Sequence, residues 1–82
     1  MTKQEIQAKV TEFMIDRLEY DANLIEPKAE LKRDLGMSSL DAMEMSIFIK
    51  RTFDFQPERN AIKMLVTLQD LYDYVDEHIG QS

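Results

Sequence analysis

Apolar side chains recur at helical spacing near the start of the chain, with polar residues between them. Residues three or four apart share one face of a helix. The positions concerned are Ile6, Val10, Phe13, Met14 and Leu18. Thr2 followed by Glu5 is a capping box, in which each residue satisfies an unpaired backbone N–H of the other. We therefore predict a first helix that begins after Thr2 and ends near Tyr20, before turn-forming residues.

The stretch from Asp21 to Ser38 loses this periodicity. Pro27 disfavours helix at Glu26, because the proline ring clashes with a helical residue before it. The stretch is nevertheless partly apolar, at Leu24, Ile25, Leu31 and Leu35. We expect a long first loop that packs against the helices, with a helical turn around residues 29–33.

A second helix is predicted from Ser39 to about Phe53, because Ser38 and Asp41 form another capping box. This helix carries two apolar stripes. One is expected to face the core and consists of Met45, Ile49 and Phe53. The other consists of Leu40, Met43 and Ile47, bordered by Asp41 and Glu44. A helix that is apolar on two sides is either buried all round or presents one side to a partner, and the pattern alone leaves both alternatives open.

The last third of the chain predicts two further helices. Pro57 suits the first turn of a short third helix, with Ile62 and Leu65 as its core contacts. Thr67 and Asp70 form a third capping box, which opens a fourth helix that ends at Gly80. Its apolar stripe is Leu68, Leu71, Tyr72, Val75 and Ile79. The predicted fold is all-α: a small four-helix bundle of three longer helices and one short helix, with a long first loop.

Composition narrows the class of protein. Eighty-two residues are expected to form a single domain, 1–82, with no disulfide because the chain has no cysteine. The net charge of -6 opposes binding to nucleic acid and favours partners with basic docking surfaces. The longest apolar runs are too short to span a membrane, and the first residues lack a signal-peptide apolar region. We expect a monomeric, cytoplasmic protein that does not associate with membranes.

The residues offer little catalytic chemistry. His78, the only histidine, is expected to be solvated near the end of the last helix, so Ser39 has no obvious general base. No His/Cys cluster indicates zinc, and Asp34 with Gly36 lacks the alternating acidic ligands of a calcium loop. We predict that the protein is not an enzyme and binds no metal.

The residues around Ser39 resemble a known motif. The stretch reads Leu35-Gly36-Met37-Ser38-Ser39-Leu40-Asp41, and an acidic-apolar helix follows it. It resembles the phosphopantetheine attachment motif of acyl and peptidyl carrier proteins, and Ser39 matches the modified serine position for position. The resemblance extends from about Ile6 to Val75, and the segment from Val66 to Val75 is similar to the last helix of carrier proteins.

This resemblance implies covalent carriage. A phosphopantetheinyl transferase would attach 4'-phosphopantetheine to Ser39 through a phosphodiester, and the cofactor thiol would hold an acyl or aminoacyl group as a thioester. Further partners would be loading and condensing enzymes with basic docking patches, in a specialised fatty acid or polyketide type of pathway. In the family, the helix that matches helix two forms the docking surface. The docking surface predicted here is the second stripe of this helix with the charges around it: Leu40, Asp41, Met43, Glu44, Ile47 and Arg51.

Two departures from the family pattern affect this site. The usual aspartate before the modified serine is Ser38, which is a nearly equal helix cap but carries no charge. Lys50 and Arg51 stand where the family usually continues its acidic face, which would admit a dedicated partner and penalise others. The alternative function is an unmodified carrier-like adaptor, which would bind partner proteins through helix two.

Overall fold

Four α-helices and one short 3-10 helix make up the described part of the chain. They are α1 (Lys3–Asp16), the 3-10 helix (Ala22–Leu24), α2 (Ser39–Phe53), α3 (Ala61–Met64) and α4 (Leu68–Gly80). The structure is a computed structural model that describes residues 2–80, so the predicted domain ends at 1 and 82 lie outside the described residues. The predicted bundle of three longer helices and one short helix is confirmed.

Capping boxes begin the three longer helices, as predicted. In each box the backbone N–H of the acidic residue donates to the hydroxyl of the cap residue over 3.1 Å. The pairs are Glu5 with Thr2, Asp41 with Ser38, and Asp70 with Thr67. Since each bond joins residues only three positions apart, the starts of these helices depend on local sequence.

The core lies between the helices and the first loop. Its fully buried side chains are Ile6, Val10, Met14, Leu31, Met45, Ile49, Leu68, Leu71 and Val75. They come from the predicted inward stripes of α1, α2 and α4 and from one leucine of the loop. Packing of α1 on α4, and of α2 on both α3 and α4, closes the bundle around them.

The predicted end of α1 was too late in the chain. The helix ends at Asp16 rather than near Tyr20. Glu19 adopts a left-handed backbone conformation with φ of 59°, which turns the chain away from the helix axis. The N–H of Tyr20 then donates to the carbonyl oxygen of Met14 over 3.0 Å, so the chain folds back over the last turn.

The start of α3 was also misplaced. Pro57 is buried and lies before the helix instead of in its first turn, since α3 begins at Ala61. Asn60 precedes the helix with φ of 66° and supplies no side-chain cap. Ile62 is buried and Leu65 is partly buried, as predicted.

The long first loop is attached to the bundle by backbone hydrogen bonds. The N–H of Leu31 donates to Val66 over 2.8 Å, and the N–H of Leu68 donates to Ala29 over 2.9 Å. A helical turn is present at residues 31–35, two residues later than predicted. The loop side chains Ala29, Leu31, Leu35 and Met37 are buried. Leu24, in contrast, is exposed, so its predicted packing on the bundle is wrong.

None of the helices described between residues 2 and 80 combines the length and the apolar character that a membrane crossing requires.

Candidate functional site

Ser39 is the first residue of α2 and is exposed to solvent. Two features fix the conformation of the loop before it. Gly36 has φ of 71°, which is a backbone conformation that other residues adopt only with strain. Met37 is buried, and its N–H donates to the carbonyl oxygen of Leu31 over 2.8 Å. The bundle therefore presents Ser39 at its surface on an anchored segment.

The two adjacent serines have different surroundings. The Ser38 hydroxyl accepts the N–H of Asp41 over 3.1 Å, and the Ser38 N–H donates to Asp41 Oδ2 over 3.2 Å. The Ser39 hydroxyl makes no hydrogen bond to any of the residues described. Of these two serines, only Ser39 therefore has a hydroxyl that is not engaged in capping α2.

Asp41 forms a third hydrogen bond, with a second residue that the sequence did not indicate. The Tyr20 hydroxyl donates to Asp41 Oδ2 over 3.0 Å. Burial, followed by the hydrogen bond and the charge of Asp41, raises the pKa of Tyr20 above its usual value. The two residues are 21 positions apart, so no local spacing could have revealed the contact.

Two lysines lie beside the serines. A cavity of about 280 Å³ is lined by Ser38, Ser39, Lys32 and Lys63, together with Met37 and Ala42. Neither lysine forms an ion pair with another described residue. The surroundings of Ser39 therefore include two positive charges that have no ion-pair partner among the described residues. The sequence pattern did not indicate this, because the lysines come from the first loop and from α3.

A larger groove runs from Ser39 between α2 and the segment leading into α3. Its volume is about 810 Å³. Ala42, Met43 and Ile62 supply apolar surface, while Ser46 and Asn60 supply hydrogen-bonding groups. An extended molecule attached at Ser39 could make both kinds of contact in this groove.

The second apolar stripe of α2 faces solvent. Leu40, Met43 and Ile47 are 59%, 54% and 49% exposed. The core stripe of Met45, Ile49 and Phe53 is buried. The second stripe is therefore not part of the core, which excludes the alternative that this helix is buried on all sides.

The charged residues around that stripe differ in exposure. Arg51 is exposed, whereas Asp41 and Glu44 are partly buried. Lys50 Nζ lies 3.6 Å from Asp54 Oδ1 in an exposed ion pair, whereas Arg51 forms no ion pair with any residue that the structure describes. The predicted role of this surface in docking stays a prediction.

His78 is not the solvated residue that the sequence predicted. Its ring stacks on Phe55 with centroids 4.8 Å apart, and its Nδ1 lies 2.7 Å from the carbonyl oxygen of Tyr74. His78 is partly buried in this aromatic cluster because the loop after α2 folds against the last turns of α4. Within residues 2–80, no group of three His, Cys, Asp or Glu side chains could hold a metal ion.

The fold is a small helical bundle with an exposed serine, Ser39, at the start of α2. A family model described as "Phosphopantetheine attachment site" matches residues 8–75. The acyl carrier protein of Cyanidioschyzon merolae is 32% identical over 78 residues, which cover 95% of this chain and 86% of that protein. The acyl carrier protein of Rubrobacter xylanophilus is 31% identical over 78 residues, covering 95% and 96%. That of Syntrophus aciditrophicus is 33% identical over 70 residues, covering 85% and 88%.

The chain belongs to the acyl carrier protein family of phosphopantetheine-binding proteins. The resemblance drawn from the residues around Ser39 is thereby confirmed. The cofactor of this family is covalently attached 4'-phosphopantetheine, as predicted. Members of the family carry groups for other enzymes.

Proposed function

We propose that Ser39 carries the 4'-phosphopantetheine and that the protein delivers an acyl or aminoacyl group to biosynthetic enzymes. The observation that carries the proposal is the contrast between the serines: the Ser39 hydroxyl is exposed, while the Ser38 hydroxyl caps α2. The start of a helix has unpaired N–H groups and a partial positive charge, which favour a phosphodiester there. In this role the protein is a carrier and not an enzyme.

The charges near Ser39 support the same assignment. Lys32 and Lys63 line the cavity at the serine and have no carboxylate partner among the described residues. Their positive charges would be attracted to the phosphodiester. Both side chains are exposed, so each attraction is worth little, on the order of 1 kcal/mol or less.

The cofactor supplies the thiol, which this cysteine-free chain lacks. The chain itself supplies an anchored attachment point and a groove beside it. Ala42, Met43 and Ile62 offer apolar contacts to the attached arm and its cargo, and Ser46 and Asn60 offer hydrogen bonds. The protein thus keeps the cargo close to its surface and raises its effective concentration at each enzyme that docks.

The proposed docking surface is the outward side of α2. It comprises Leu40, Asp41, Met43, Glu44, Ile47 and Arg51. Exposed apolar side chains rimmed by charge are typical of a transient interface. The partners would be a phosphopantetheinyl transferase first, then loading and condensing enzymes with basic patches that complement Asp41 and Glu44.

The finer assignments are part of the proposal. The positive charge of Arg51 at the far end of the docking surface favours a dedicated set of partners, as in a specialised fatty acid or polyketide type of pathway. A monomeric, single-domain, cytoplasmic protein remains our prediction.

A second candidate function is an unmodified adaptor that binds partners through α2. Ser38 favours it, because the family usually has an aspartate before the modified serine and this position here carries no charge. The exposed stripe of α2 would serve this function equally well. The two candidates differ only in whether Ser39 is modified.

Intact mass and peptide mapping after incubation with coenzyme A and phosphopantetheinyl transferases of differing specificity test the proposal. We expect one added phosphopantetheine on the wild type and none on Ser39→Ala. The matched control is Ser38→Ala, which loses the cap at a cost of about 0.5–2 kcal/mol but keeps the Ser39 hydroxyl. It should still be modified at Ser39. Modification of Ser39→Ala would refute the assignment, and an unmodified wild type with every transferase would favour the adaptor.

A further inference from the structure

A second groove lies between α1 and the first loop. Its volume is about 680 Å³, and it shares no lining residue with the groove at Ser39. Ala8 and Ile15 of α1 and Ile25 and Pro27 of the loop give it an apolar surface. Ile15 is exposed there, although its side chain is large and apolar. An exposed apolar groove of this size is a feature of binding surfaces.

Tyr72 of α4 closes the inner side of this groove. Its side chain is buried, and its hydroxyl shares a hydrogen bond of 3.1 Å with the Thr11 hydroxyl. The groove is therefore backed by the packing of α1 on α4 and does not depend on a mobile side chain for its shape.

The charge around this groove has one sign. Its charged lining residues are Glu12, Asp16 and Glu26, and none of the described residues that line it is Lys or Arg. None of the three carboxylates forms an ion pair within the described part of the chain. Glu12 and Asp16 also line a neighbouring depression of α1 together with Lys9 and Arg17, but neither cation forms an ion pair with them among the described residues.

Two of these carboxylates are unfavourable for α1 itself. Glu12 and Asp16 are four residues apart on the helix, where like charges repel each other. Asp16 is also the last residue of α1, at the negative end of the helix dipole. Neither carboxylate forms an ion pair within residues 2–80, and a cation bound beside them would reduce both costs.

We propose that this groove docks a cationic amphipathic segment of a partner protein. An apolar side chain of that segment enters between Ile15 and Ile25, and its lysine or arginine side chains meet Glu12, Asp16 and Glu26. The two grooves share no residue, so such a partner holds the carrier while Ser39 and the outward side of α2 stay accessible to others. The proposal is independent of whether Ser39 is modified.

The test uses the full unmodified chain and a synthetic probe. The probe is an amphipathic peptide with leucine on one face and lysine on the other; a version with glutamate in place of lysine is the control peptide. Two-dimensional NMR of the labelled protein is recorded near physiological salt, where charges more than about 8 Å away are largely screened. We expect the lysine peptide to shift the amides of Ala8, Ile15 and Ile25 and the glutamate peptide to leave them unchanged.

Matched variants separate local docking from general attraction to an acidic protein. Glu12→Gln with Asp16→Asn removes two charges from the groove, and Asp76→Asn with Glu77→Gln removes two from α4. The groove variant should bind the lysine peptide with an affinity about tenfold lower than that of the wild type. The α4 variant should change this affinity by less than about twofold. Ile15→Asn should also weaken it about tenfold while keeping the fold, because Ile15 is exposed.

Several results would overturn the proposal. They are equal weakening by the two charge variants, or peptide shifts confined to α2, where Asp41 and Glu44 are also acidic. Self-association of the chain through the same amides in sedimentation would assign the groove to a second copy instead. The groove variant should melt at a higher temperature than the wild type, since it removes repulsion. A lower melting temperature would show that these carboxylates serve the fold.

Discussion

The Tyr20 hydroxyl and the Asp41 carboxylate join the segment after α1 to the first turn of α2. Asp41 Oδ2 accepts from Tyr20 over 3.0 Å and from the Ser38 N–H over 3.2 Å. One carboxylate oxygen therefore closes the cap of α2 and holds that helix start against the rest of the bundle. Ser39, the proposed attachment point, lies in the same first turn of α2, between Ser38 and Asp41 in the sequence.

Tyr20→Phe should loosen the start of α2 without opening a cavity. Loss of one hydrogen bond to a charged group costs on the order of 1–3 kcal/mol of the free energy of unfolding. Hydrogen exchange at the Asp41 amide should become faster. Tyr74→Phe is the control, because the Tyr74 hydroxyl accepts from the Glu58 N–H, away from α2. Equal exchange at Asp41 in the wild type and Tyr20→Phe would contradict the prediction.

The same tyrosine should make stability depend on alkaline pH. The pKa of Tyr20 is raised above 10.0 in the folded protein, mainly by burial and then by Asp41. The unfolded chain therefore loses this proton first, and the stability that the neutral phenol contributes falls as pH rises above about 10. Urea unfolding from about pH 8 to pH 11 should show a shallower decline for Tyr20→Phe than for the wild type. Part of the decline in stability should persist in that variant, because burial also raises the pKa of Tyr72.

Ser38→Asp should change modification more than stability. Serine and aspartate are similar caps, so the free energy of unfolding should change by only about a few tenths of a kcal/mol. The new carboxylate would restore the charge that the family has before the modified serine, so a general phosphopantetheinyl transferase should act faster. Initial rates followed by intact mass measure this. Equal rates for the wild type and Ser38→Asp would contradict the expected effect of this charge. Ser38→Asn, an equally good cap without a charge, is the control.

Ile49→Ala and Ile47→Ala should separate the two stripes of α2. Ile49 is fully buried, so its truncation should cost about 2–5 kcal/mol of stability by opening a cavity. Ile47 is 49% exposed, and its truncation should stay within about 1 kcal/mol. Thermal and urea unfolding measure both. An Ile47→Ala variant as unstable as Ile49→Ala would show that this stripe supports the fold.

Glu44→Lys should act on partner binding. Charges at the rim of an interface act mainly on the rate of encounter, so association with a transferase or condensing enzyme should slow and depend less on salt. The melting temperature should barely change, because no ion pair of Glu44 is present among the described residues. Stopped-flow association at several salt concentrations measures the effect. Glu77→Lys on α4 makes the same charge change elsewhere and should leave association nearly unaltered.

The sequence by itself determined the features that arise within a single turn of helix. The three capping boxes join residues three positions apart, so the starts of α1, α2 and α4 could be predicted to the residue. The inward stripe of α2 followed from its period and is buried as predicted. Ser39 could be named as a candidate because the stretch from Leu35 to Asp41 resembles the attachment motif of the family, and that motif is local.

Tertiary structure decided what depends on residues far apart in the chain. The end of α1 moved to Asp16 because Tyr20 turns back over Met14 and reaches Asp41. The exposure of the second stripe of α2 depended on which neighbours the bundle placed around that helix. Lys32 and Lys63 meet at Ser39 only because the loop and α3 pack on either side of it. A sequence pattern records periodicity within one element, whereas these contacts depend on the relative placement of elements, which the packing of the whole core sets.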